Sequence, residues 1–121
     1  MELLIVTLKQ FLSRFSAAIE GLRVGFKDDR SIRMQWIIAI MVIIVFLILN
    51  ISLDHWLWII VCCGLVISLE YFNSAIEELS NMISTERNHH IKLVKDFSAA
   101  AVFVASITSA LIAIIIFLHY I

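Results

Sequence analysis

The chain has 121 residues, of which 62% are hydrophobic, with no proline, a mean hydropathy of +1.01 and a formal net charge of -1. A soluble domain of this size has too little interior to hide so much apolar surface, so a bilayer is expected as its solvent, in one small membrane domain. The near-zero charge speaks against a nucleic-acid partner, and Cys62 and Cys63, adjacent in an apolar run, are packing residues that cannot staple distant segments.

Residues 2–22 carry Leu4, Leu8, Phe11, Leu12, Phe15, Ile19 and Leu22 at helical spacing, with Lys9, Arg14 and Glu20 among the polar positions. That pattern predicts an amphipathic helix lying on the membrane surface. It does not resemble a cleavable signal peptide, having no small-residue cleavage site after an apolar block. Gly21 and Gly25 allow a bend or a close helix approach near its end. The segment from Gly21 to Gln35 is dense in charge, and on composition alone it reads equally well as a snorkelling flank at the interface.

From Met34 to Leu53 no ionisable residue occurs, a length sufficient for one helical crossing. A short polar turn, Asn50 to His55, precedes Trp56 and Trp58, which anchor a second span at the interface. That span, about residues 56–83, turns acidic without a residue that stops the helix. A polar loop, Ser84 to His90, leads to a third span over 97–121 that lacks Asp, Glu, Lys and Arg. His89 and His90 are neighbours pointing to different faces, so a solvated position suits them better than a shared metal.

The positive residues orient the chain. Arg23, Lys27, Arg30 and Arg33 precede the first span, and Arg87, Lys92 and Lys95 separate the second from the third. The Asn50–His55 turn and the C-terminus have neither Lys nor Arg, so both basic clusters are expected in the cytoplasm. The third span also carries a ladder of small residues, Ala101, Ala105, Ser109 and Ala113, that permits close helix contact in lipid. Three spans can scarcely shield Glu70 and Glu77 from lipid, so self-association is expected.

The chemistry concentrates on one helical face: Glu70, Asn73, Ser74, Glu77 and Asn81. A carboxylate inside an apparent span costs roughly 2.5–3.5 kcal/mol on insertion scales and needs a partner, a wet niche or a proton. Two carboxylates two turns apart, with an amide between them, suit a divalent metal at the membrane surface with one carboxylate left as a base. No phosphate-binding G-x-x-x-x-G-K-[ST] loop, nucleophile elbow or H-E-x-x-H motif is present. Phosphoryl transfer and a small proton-coupled transporter using Glu70 both fit these residues, with a purely structural membrane subunit as a third reading.

Glu70-Tyr71-Phe72-Asn73-Ser74-Ala75-Ile76-Glu77, followed by Lys95-Asp96-Phe97-Ser98-Ala99-Ala100-Ala101-Val102, resembles the E-x-x-N-[ST]-A-I-E … K-D-x-x-[AS]-[AG]-A-V signature of the prokaryotic diacylglycerol kinase family, which includes undecaprenol kinases. The Gly21-Leu22-Arg23 start and the three-span layout agree, so the resemblance covers nearly the whole chain. It implies an all-α homotrimer in the bacterial cytoplasmic (inner) membrane. Each subunit would have a surface helix and three transmembrane helices, with active sites on the cytoplasmic side between subunits. It implies MgATP and a membrane lipid alcohol, diacylglycerol or undecaprenol, as substrates. By position, Glu70 would be the general base, and Asp29 and Glu77 would hold Mg²⁺. Asn73 would orient that cluster. Lys95 and Asp96 would bind the nucleotide, with Glu86 and Asn88 near its adenosine end. Arg33, with Arg14 and Arg23, would face the polar part of the lipid. This chain departs from the family pattern with Asp29 for a usual Glu, Asn81 for a usual Asp, Asn88 for a usual His and Ala17 for an aromatic. Phe26 to Arg33 resembles the F-K-x-E-R-N-x-R pattern of the undecaprenol kinase branch, differing at Asp29 and Ser31.

Overall fold

The computed structural model describes residues 1–83 and 88–121, and it is helical throughout apart from the joints. Four helices follow in order: α1 (Glu2–Asp28), α2 (Arg30–Leu49), α3 (Leu53–Ile83) and α4 (His89–Tyr120). The last three are long and apolar enough to cross a membrane. Each of the three long helices starts before the apolar stretch that predicts it, while α2 stops at Leu49 rather than Leu53, so the expected Asn50–His55 turn is only Asn50–Ser52. Helix α1 continues through the charged segment to Asp28, and α4 begins at His89, so His90 lies in a helical first turn.

Helix α1 runs unbroken through Gly21 and Gly25. The chain turns at Asp29, the single residue between α1 and α2, which has extended backbone angles (φ −104°, ψ 116°). Asp29 closes both helices. Its N–H donates to Gly25 O at 3.0 Å, ending α1, and its Oδ1 accepts from Ile32 N–H at 3.1 Å, capping α2. A short side-chain acceptor of this kind is worth about 0.5–2 kcal/mol at a helix start. Arg33 reinforces the corner by donating from Nη1 to Lys27 O at 2.9 Å and Phe26 O at 3.3 Å, two of the carbonyls left over at the end of α1.

At the opposite end, Asn50 adopts the left-handed conformation (φ 53°, ψ 54°) that lets α2 stop abruptly, a geometry Asn tolerates better than most residues. Phe46, Ile51, Ile59 and Ile116 form the buried cluster at this end, with Trp56 packed against it. Tyr120 Oη then ties the last turn of α4 to the α2–α3 connection. It accepts from Ser52 N–H at 2.9 Å and lies 2.6 Å from His55 Nδ1.

Helix α4 packs mainly on α3, and Ala105 of the small-residue ladder is buried, along with Ala39 of α2. Cys62 is buried and Cys63 half-buried, both as free thiols. Apolar side chains remain exposed along all three long helices, as expected where lipid or further protein replaces water.

Helix length bears on the depth of the acidic face. With a rise of 1.5 Å per residue, α3 is about 46 Å long, well beyond a hydrocarbon core of about 30 Å. Counted from Leu53, Glu70 lies about 26 Å along the axis and Glu77 about 36 Å. A hydrocarbon core of that thickness entered at Leu53 would end between Glu70 and Glu77.

Candidate active site

The helical face read from the sequence is graded by depth. Glu70 is buried, at 6% exposure, Asn73 and Ser74 are half-buried, and Glu77 is exposed. Its own chain shields Glu70, which corrects the expectation that three spans would leave that carboxylate to lipid. The side-chain amide of Gln35 on α2 faces it, and the carboxylates of Asp29 and Glu77 are near enough to act on it electrostatically. Glu77 does fit the expectation, being open to its surroundings.

Asp29 joins this face because the α1–α2 corner lands on α3. Ser74 Oγ donates to Asp29 Oδ2 at 2.6 Å. Both carboxylate oxygens of Asp29 therefore already carry one hydrogen bond, one to the cap and one to Ser74. An ionised carboxylate offers about four acceptor positions, so each oxygen keeps capacity for a further partner. The one-methylene reduction in reach at this position has a local consequence, because the shorter side chain caps its own helix.

Two features mark the face as polar and incomplete. Among the described residues the ion pairs are Arg23–Glu20 and Lys92–Asp96, so none serves Asp29, Glu70 or Glu77. Asn73 Oδ1 is buried without a hydrogen-bond partner among the described residues. A buried amide oxygen left unmatched costs about 1–3 kcal/mol. No three His, Cys, Asp or Glu side chains among the described residues converge on one metal position. Mg²⁺ does not require that, since it commonly takes one or two protein carboxylates and completes its shell with phosphate and water oxygens. The donors present are all hard oxygens, and they fit that ion.

The remaining candidate residues occupy varied surroundings. Lys95 Nζ donates to Asn81 Oδ1 at 2.7 Å, bridging α4 to the outer end of the acidic face. Asp96 pairs with Lys92 one turn away. Asn88 caps α4, its Oδ1 accepting from His90 N–H at 2.8 Å. Arg33 is engaged with the end of α1, and Arg23 with Glu20, through two contacts of 2.6 and 3.1 Å. Arg14 lies 15 positions before Asp29, roughly 22 Å along α1, and is exposed. Glu86 lies outside the described residues.

Ser74, Gln35 and Tyr71 carry contacts for which the sequence reading assigned no role. Ser74 was on the right face and could have been paired with an acid. Gln35 sits at the edge of an uncharged span, where nothing in the local pattern points toward Glu70.

Comparison with known proteins came to the same region. The family described as Prokaryotic diacylglycerol kinase matches residues 16–117, which includes the α1–α2 corner, the acidic face and most of α4. An undecaprenol kinase from Bacillus subtilis is 30% identical over 111 residues, covering 92% of this chain and 90% of that protein. A diacylglycerol kinase from Pseudomonas aeruginosa is 31% identical over 98 residues, covering 81% and 80% respectively. A diacylglycerol kinase from Haemophilus influenzae is 31% identical over 88 residues, covering 73% and 75%.

Proposed function

The chain belongs to the prokaryotic diacylglycerol kinase family, and on that premise we propose that it is an integral-membrane lipid kinase. Its reaction would move the γ-phosphate of MgATP to the primary hydroxyl of a membrane alcohol. The observation that carries this reading is the depth-graded face itself. A buried carboxylate, a half-buried amide with an unmatched oxygen and an outer carboxylate follow one another across the apolar boundary, where a lipid hydroxyl and a nucleotide phosphate would meet.

Roles follow from position. Glu70, at the lipid level, accepts the proton of the attacking hydroxyl on its carboxylate, with the Gln35 amide beside it. Asp29 and Glu77 are the oxygen donors for Mg²⁺, and Asn73 Oδ1 takes a partner within the same cluster. A bound Mg²⁺ supplies charge neutralisation on the phosphates. Lys95, steadied by Asn81, presents its ammonium to the nucleotide, with Asp96 beside it. Glu86 and Asn88 lie toward the adenosine end. Arg14, Arg23 and Arg33 belong to the segment that meets the lipid headgroups, with α1 on the cytoplasmic surface of the inner membrane. A homotrimer accounts for the apolar surface left on α2, α3 and α4, and sets each site beside a neighbouring subunit.

The substrate is a lipid with a primary hydroxyl at the interface. Relatives named for diacylglycerol and for undecaprenol match at nearly the same identity, and either alcohol meets Glu70 in the same way. The transporter reading is weaker. Below Glu70 the buried positions of α3 are Val66, Cys62 and Ile59, none of them a carboxylate or histidine.

The test presents the protein in lipid nanodiscs with γ-labelled ATP, Mg²⁺ and equal amounts of diacylglycerol and undecaprenol. Label entering phosphatidic acid or undecaprenyl phosphate supports the reading and names the lipid. Folded protein that labels neither alcohol contradicts it.

A further inference from the structure

Tyr71 follows Glu70 on α3, and its side chain meets both other helices of the corner. Its hydroxyl donates to Leu22 O of α1 at 2.8 Å and accepts from Trp36 Nε1 of α2 at 3.1 Å. One phenol oxygen thus joins three helices. Beneath the ring lies Gly25. A Cβ there would collide with Tyr71 Cε1 and would lie 3.1 Å from both Tyr71 Cζ and Ile32 Cδ1. A methyl group at Gly21, by contrast, would meet nothing within 4 Å. Glycine at 25 therefore serves close approach of helix to ring, with no positive φ involved. The ring cannot swing aside freely, because its hydroxyl is held from two directions.

The consequence reaches the acidic face. Asp29 lies four residues after Gly25, and its N–H closes α1 on Gly25 O. The position of the Leu22–Gly25 turn against Tyr71 sets where Asp29 Oδ2 meets Ser74, one turn beyond Tyr71 on the same helix. We propose that Tyr71 is a positioning residue. It seats the end of α1 on α3, with Gly25 as the socket and Trp36 as the brace, so that the Asp29 carboxylate is delivered to the Glu70–Glu77 face. The proposal deepens the lipid-kinase reading and rests on it for the kinetic consequence, though the seating itself is independent of catalysis.

Two experiments on the full chain in nanodiscs test it. The first compares hydrogen exchange of the α1 amides in wild type and Tyr71→Phe. Loss of both hydroxyl bonds is expected to speed exchange across residues 18–28 by about tenfold, with the Leu53–Ile60 amides unchanged. In the same variant, the Mg²⁺ concentration giving half-maximal turnover rises about tenfold while the KM for lipid stays near its original value. A merely structural tyrosine would lower thermal stability without changing the Mg²⁺ requirement. Exchange equal to wild type, or an unaltered Mg²⁺ requirement in an active variant, overturns the proposal.

The second is a double-mutant cycle between Gly25→Ala and Tyr71→Leu, read by the same exchange rates. Gly25→Ala is expected to accelerate α1 exchange strongly when Tyr71 is present and little when the ring is already gone. Equal acceleration in both backgrounds overturns the socket. The exchange arms do not require turnover. If the wild type phosphorylates no lipid, they still decide whether Tyr71 seats α1, while the labelling experiment decides the reaction.

Discussion

The two ends of the helical bundle both carry polar side chains among apolar helices, and they differ in whether those groups satisfy one another. At the far end Ser52, His55 and Tyr120 close a small circuit of 2.6–3.1 Å contacts, with the His119 ring 5.4 Å from that of His55. The circuit is neutral in composition apart from its imidazoles, and it fastens the end of α4 to the α2–α3 connection. At the near end Ser74 Oγ donates to Asp29 Oδ2, no described cation pairs with Asp29, Glu70 or Glu77, and Asn73 Oδ1 is left unmatched among the described residues. A bundle held together for its own sake looks like the far end. The near end keeps like charges and an orphan acceptor, an arrangement that costs stability until a cation and a polar ligand arrive.

Substitutions at the two ends should therefore separate stability from turnover. The largest effect is expected for Glu70→Gln, which keeps the shape of the side chain and removes its basicity. Turnover should fall by about 10²–10⁴-fold, the usual contribution of a positioned base, with helical content unchanged by circular dichroism. Retained turnover would remove Glu70 from the role of base.

At Asn73, replacement by Leu should act in opposite directions on the two properties. Thermal stability should hold or rise, since the unmatched amide is gone, while the rate of lipid phosphorylation drops by at least about tenfold. Asp29 sharpens the contrast further. Asp29→Asn keeps a capping acceptor and loses the charge, so it should fold normally and lose activity. Asp29→Glu keeps the charge and gives up the short cap, costing about 1 kcal/mol of stability in a thermal melt. At the far end Tyr120→Phe should cost about 1 kcal/mol by losing its hydroxyl contacts, with kcat unchanged. A fall in kcat there would mean that the two ends are coupled.

The smallest effect belongs to α1. The Arg23 guanidinium, by hydrogen bond and then by charge, holds the exposed Glu20 carboxyl below the usual glutamate range. Such a pair stabilises the fold above the ordinary glutamate range and stops doing so as pH falls through the lowered value. Full exposure makes that contribution too small to register in a melt. Arg23→Gln should leave the melting curve unaltered, so any loss of turnover would report contact with lipid or nucleotide.

Much of this was legible in the sequence. Long uncharged runs announced three crossing helices, and the spacing of Glu70, Asn73, Ser74 and Glu77 placed them on one face. The α1–α2 corner was not legible, because Asp28 and Asp29 are equally acidic and only the fold decides which one turns. The glycines allow a bend or a close helix approach, and Gly25 makes the second, against a tyrosine 46 positions away in the chain. Tyr71 stands at an unspecified position of the E-x-x-N pattern, so nothing local points to its contacts with α1 and α2. The shielding of Glu70 is not legible either, since it comes from packing between helices far apart in the chain. Arg33 illustrates the converse, a basic residue read as facing lipid that also closes the end of α1.

The central claim is that the open oxygens of the near end await a metal and a phosphate, while the far end awaits nothing. Mn²⁺, a paramagnetic substitute for Mg²⁺, tests it directly when titrated with a non-hydrolysable ATP analogue into isotope-labelled protein in nanodiscs. The account predicts that resonances of Asp29 and of residues 70–77 broaden first and that those of Ser52, His55 and Tyr120 stay sharp. Broadening confined to the far end, or none at saturating nucleotide, would contradict it.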